Sequence, residues 1–118
     1  MKSKEYLKAK LEQLSRDFQE ISIRYQFDER DLTHIIEIIP LKEFNDNEFY
    51  QNKEAEISYE FEQLFFPETV LFISENSLTK ISKPEFEYGY GLENNYSFNK
   101  IIMQIEELSR HIKNDYFL

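Results

Sequence analysis

The sequence predicts an α+β domain: two layers, a mostly antiparallel sheet of four to five strands, and helices chiefly on one face. Three observations carry that prediction. Apolar residues recur at steps of three and four near both ends of the chain, and between residues 21 and 27 the period changes to two. The run Thr69-Val70-Leu71-Phe72-Ile73-Ser74, behind Phe65-Phe66-Pro67, has the β-branched and aromatic content of a strand. Pro67 stops the preceding helix, and the unbroken apolar character of the run predicts a strand buried on both faces, with the remaining elements packed around it.

Taken in order, Ser3 is placed to cap a helix over about 4–19, where Leu7, Leu11, Leu14, Phe18 and Ile21 share one stripe. Lys8, Glu12, Arg16 and Glu20 form a solvated row of alternating sign on its other side. Ile21, Ile23, Tyr25 and Phe27 then alternate with polar residues, as in a strand with one wet face. Asp28-Glu29-Arg30-Asp31 makes a turn into a second strand, Leu32 to Ile39, with apolar residues on both faces, and Pro40 ends it. So short a connection predicts an antiparallel hairpin.

Asn45-Asp46-Asn47-Glu48 reads as a helix start, and a second helix over about 47–65 presents Phe49 or Tyr50, Lys53, Ile57, Phe61, Leu64 and Phe65 inward. After the 69–74 strand, Glu75-Asn76-Ser77 is read as a turn into a short strand, Leu78 to Ile81, which completes a second hairpin. Phe86, Tyr88 and Tyr90 alternate again, which suits either an edge strand over 85–90 or a loop, and Leu92 to Tyr96 reads as loop. Ser97 caps a last helix whose stripe is Phe98, Ile101, Ile102, Ile105, Leu108 and Ile112. Burying such a stripe contributes about 10–15 kcal/mol before chain entropy is counted. The expected order is α-β-β-α-β-β-(β)-α within a single domain over 1–118.

Length and composition narrow the function classes. A chain of 118 residues with no cysteine has no disulfide framework, thiolate metal site or cysteine nucleophile, and it suits a reducing compartment. No stretch approaches the roughly 20 apolar residues of a membrane span, so the expectation is a soluble cytoplasmic protein without membrane contact. The net charge of -9 is unevenly spread: residues 1–24 carry six basic and four acidic groups, 25–99 carry five and sixteen, and 100–118 three of each. An acidic middle repels phosphate backbones, excluding nucleic acid, and attracts a basic protein partner. Acidic composition also serves plain solubility.

Little catalytic machinery is visible. His34 and His111 have no second histidine at ligand spacing, and only Gly89 and Gly91 are available to build a phosphate-cradling loop. Glu56 and Glu60 lie one helical turn apart, which suits a shared divalent ion or a merely solvated face. No cofactor, metal or catalytic residue is therefore assigned. Glu48, Glu54, Glu56, Glu60 and Glu62 concentrate on the second helix, offset only by Lys53. Phe86, Tyr88, Tyr90, Tyr96 and Phe98 supply rings that serve either the core or a contact surface.

Thr33-His34-Ile35-Ile36-Glu37-Ile38-Ile39-Pro40 and Glu68-Thr69-Val70-Leu71-Phe72-Ile73-Ser74-Glu75-Asn76-Ser77-Leu78, in pattern and composition, resemble small acidic bacterial α+β proteins encoded beside polymorphic toxins, immunity proteins among them. The resemblance spans roughly 20–90 and implies a non-enzymatic inhibitor that sequesters a toxin. The leading expectation is thus an acidic protein-binding module using Glu48, Glu54, Glu56, Glu60 and Glu62 with Tyr88 and Tyr90 as anchors. One alternative is a self-associating structural protein, a homodimer through an aromatic edge strand over 85–96. A weaker one is a carboxylate-dependent metal enzyme.

Overall fold

The computed structural model describes residues 2–89. Among them, helix α1 (Ser3–Asp17), strands β1 (Ser22–Asp28) and β2 (Thr33–Ile39), helices α2 (Leu41–Asp46) and α3 (Glu48–Phe65), and strands β3 (Thr69–Ile73) and β4 (Phe86–Gly89) follow in that order. They form an α+β structure with one four-stranded mixed sheet, ordered β3-β2-β1-β4. The last helix read from the sequence, with Tyr90, Tyr96, Phe98 and His111, lies outside the described residues.

Helix α1 buries Tyr6, Leu7, Leu11 and Leu14, the stripe its spacing dictates. Its cap differs from expectation. Lys2 holds the N-cap position with no side-chain hydrogen bond, while the Ser3 hydroxyl donates instead to Glu68 Oε1 at 2.6 Å. The β1–β2 hairpin forms as predicted, in antiparallel register from Ser22 opposite Ile39 to Asp28 opposite Thr33. Asp28 Oδ1 accepts from the Arg30 amide at 3.0 Å, tightening the turn, and Leu32 completes it with φ of 52°. A left-handed conformation is costly for leucine, and here it leaves the Leu32 carbonyl accepting from the Thr69 amide at 3.0 Å.

The second helix forms over the expected residues as α3, and a short helix that the sequence reading lacked, α2, precedes it. α2 ends at Asp46, and the Asn47 side chain caps α3 by accepting from the Tyr50 amide at 3.0 Å. Tyr50, Ile57 and Phe61 turn inward, Tyr50 rather than Phe49 taking the first place, whereas Lys53 and Leu64, also read as inward, are exposed.

Three expectations about the sheet are corrected. First, the 69–74 run is an edge strand rather than a central one, and Leu71 keeps 41% of its surface exposed. Second, β3 runs parallel to β2, so the sheet is mixed and not a pair of hairpins: the helical crossover through α2 and α3 brings the chain back in the direction it left. Third, residues 78–81 form no strand. β3 and β4 occupy opposite edges, so the segment between them crosses the sheet on the face away from α1 and α3. There Ile81 packs with Ile35 and Ile73, and Gln26 Oε1 accepts from the amides of Ser82 and Lys83. Local turns fill its start, where the Ser77 amide bonds the Ser74 carbonyl and the Thr79 amide the Ser77 hydroxyl. Residues 86–89 do form an edge strand, paired with β1.

The main core lies on the helical face, where α1 and α3 meet Ile23, Tyr25, Ile36 and Ile38. Gly89 ends β4 at φ of +115°, and a Cβ there would stand 2.4 Å from the Ile21 carbonyl oxygen. The residue serves a close backbone approach, beyond the loosening its composition suggests.

Candidate functional site

The residue pattern of α3 divides it into two faces. Against the inward residues stands the stripe Glu48, Asn52, Ala55, Tyr59 and Glu62, spaced four, three, four and three apart and exposed throughout, with the exposed Phe66 following at the C-terminal cap. Tyr59 is 69% and Phe66 85% exposed, and Phe49 beside the stripe is 78% exposed. Single exposed apolar residues are ordinary on a protein surface; three large rings along one helix and its C-terminal cap, interleaved with carboxylates, resemble the aromatic anchors and polar rim of a binding surface.

The five glutamates named from the sequence do not act together. Glu48 and Glu62 lie on the outward stripe, and Glu56 beside it pairs with Lys53 at 3.5 Å. Glu60 turns toward α1, where Lys10 Nζ stands 3.4 Å away and the Tyr6 hydroxyl donates to it. That hydroxyl, with Lys10 adding to it, holds the Glu60 carboxyl below the usual carboxylate range. Glu54 is half-buried, and burial pushes its carboxyl up. Tyr88, the remaining described anchor, is half-buried on β4 with its ring 5.5 Å from that of Phe86, and Tyr90 is outside the described residues. Phe49 was read as a candidate for the core, and Tyr59 and Phe66 were given no role; the stripe opposite the inward one was the available signal.

A second polar feature lies inside the fold. His34, wholly buried on β2, has its Nδ1 2.6 Å from the Tyr25 hydroxyl and its Nε2 2.6 Å from Glu68 Oε1, which also accepts from Ser3. Burial pushes the Tyr25 hydroxyl up and the His34 imidazole down, so both are neutral near pH 7. Hydrogen bonds from Ser3 and His34 hold the Glu68 carboxyl low. One proton arrangement satisfies all four groups: Tyr25 donates to Nδ1, and Nε2–H and the Ser3 hydroxyl donate to Glu68.

This chain adjoins a cavity of about 590 Å³ lined by Lys2, Lys4, Phe27, Leu32, Phe65 and Glu68. Its chemistry is that of a staple. Ser3 is bonded to the carboxylate and not to the imidazole, and the buried Tyr25 hydroxyl is committed to Nδ1. On the far face, Arg24 Nε meets Glu37 Oε1 at 2.6 Å across β1 and β2, with Glu37 almost wholly buried. Among the described residues no group of three or more histidine, aspartate or glutamate side chains converges as a metal ion requires, and no helix is long and apolar enough to cross a membrane.

No protein-family model, curated protein or solved structure matches the chain. Fold and site together describe a small α+β protein with one aromatic, acidic helix face.

Proposed function

We propose that the chain is a non-enzymatic binding module that takes a basic protein partner on the outward face of α3, in the manner of an immunity-type inhibitor covering the cationic groove of a toxin or enzyme. One observation carries this reading: Glu48, Tyr59 and Glu62, with Phe66 following at the cap, share a solvent-facing stripe that carries no lysine or arginine. Carboxylates steer a cationic surface into place, and tyrosine and phenylalanine give rigid area for arginine side chains to stack on. Glu56 with Phe49 extends the surface toward the helix start, whereas Glu60 is engaged with Lys10 and Glu54 is half-buried.

The test uses decaarginine as probe and the amide resonances of the labelled chain as readout. Shifts concentrated at Glu48, Asn52, Tyr59 and Glu62 support the proposal. Shifts spread equally over Glu12, Glu20, Glu29 and Asp31, which are equally exposed acidic positions, overturn it.

A further inference from the structure

β3 closes one side of the sheet, and no described strand pairs with its outer edge. The Thr69 amide donates to Leu32 and β3 lies in parallel register with β2, so the backbone groups of Thr69, Leu71 and Ile73 turn toward β2. Those of Val70 and Phe72 turn outward. Edge strands are ordinarily blunted by lysine, proline or a bulge, yet Thr69–Ile73 reads TVLFI and has none of these. Exposed apolar residues border it: Leu64 and Phe66 before, Leu71 within, and Leu78 after.

We propose that this edge pairs with the same edge of a second copy, antiparallel about a two-fold axis through Leu71. In that register Val70 of each copy faces Phe72 of the other, and these are the two residues whose amide and carbonyl groups point outward. Each such pair exchanges both of its backbone hydrogen bonds. Leu71 meets its own counterpart at a position without ladder bonds, where side chains approach closely. Thr69 faces Ile73, and the sheet continues through both copies.

Charge selects the occupant. A chain of net charge -9 resists its own copy over most of its surface, but all five side chains of β3 are uncharged. Across the proposed axis Glu68 faces Ser74 and Glu75 faces Pro67, so no carboxylate meets another. A cationic partner finds no anion on this strand and is drawn to α3 instead. Stable pairs bury about 800 Å² per partner, and the exposed Leu64 and Leu78, which flank β3 in the sequence, supply apolar area beyond the strand itself.

The absence of cysteine makes the geometry directly testable. In Leu71→Cys the two Cα atoms would stand about 4.5 Å apart, within the roughly 4.4–6.8 Å that a disulfide spans. In Thr69→Cys the offset along the strands is about 14 Å, too far to bridge. The expected results are a sedimentation mass twice 14.4 kDa, cross-linking of Leu71→Cys under mild oxidation but not of Thr69→Cys, and a mass halved in Leu71→Glu with the circular dichroism unchanged. A wild-type mass of 14.4 kDa at high micromolar concentration overturns the proposal, and so does a dimer that Leu71→Glu leaves intact. None of the three variants changes a residue of the outward face of α3, so failure here is separable from failure of the binding role.

Discussion

Glu68→Ala isolates what the buried chain from Ser3 to Tyr25 contributes to the fold. The substitution leaves the His34 Nε2–H, in a wholly buried ring, without its acceptor, and frees the Ser3 hydroxyl. An unsatisfied buried donor costs about 1–3 kcal/mol and the lost bond from Ser3 about 1 kcal/mol, so the expected destabilisation is about 2–4 kcal/mol. Glu68→Gln keeps an oxygen acceptor at the same reach and should lose only about 1 kcal/mol. Urea unfolding at pH 7.5, followed by far-ultraviolet circular dichroism, reads both variants. Equal losses in the two, or a loss in Glu68→Ala below about 0.5 kcal/mol, would refute the assignment, because water would then be replacing the carboxylate at no cost.

The same chain makes stability pH-dependent. Folded His34 is harder to protonate than an unfolded histidine, whose value is about 6.5, so the unfolded state binds more protons and stability falls as pH drops below about 6.5 toward the lower folded value. The slope is at most about 1.4 kcal/mol per pH unit for this one group, and an unfolding free energy level between pH 5 and 6.5 would contradict it. Glu68, held low by its hydrogen bonds from Ser3 and His34, adds a loss of the same sign as pH falls past the ordinary carboxylate value. Tyr50 is buried with a hydroxyl that closes no hydrogen bond, so Tyr50→Phe should match the wild type or gain up to about 1 kcal/mol in the same urea assay. Gly89→Ala forces a Cβ against the Ile21 backbone at positive φ, and thermal unfolding should show a loss of about 1–3 kcal/mol.

The features legible in the sequence were those set by neighbours along the chain. The Leu7-Leu11-Leu14 stripe, the period-two residues of β1, the Asn47 cap and the Pro67 stop each carry their own physical cause locally. The placement of β3 does not. TVLFI has the same composition whether it runs centrally or at an edge, and only the order β3-β2-β1-β4, a matter of distant pairing, separates the two. Likewise Glu75-Asn76-Ser77 looks like a hairpin turn until Glu75 is seen bonding the Leu41 amide and Gln26 holding Ser82 and Lys83. For the site, the acidic richness of α3 was plain, but the pairing of Glu60 with Lys10 depends on how α1 lies against α3 and has no trace in either segment alone. The outward Tyr59 and Phe66 were within reach of the helical period and needed only the second face to be counted.

Decaarginine affinity, measured by calorimetry at low and at physiological ionic strength for the wild type and for Glu48→Lys/Glu62→Lys, bears most directly on the outward face of α3. The account predicts that the double variant loses at least tenfold in affinity, about 1.4 kcal/mol, together with most of the salt dependence. An affinity within a factor of about two of the wild type, with the salt dependence retained, would place the attraction elsewhere on the acidic surface and contradict it.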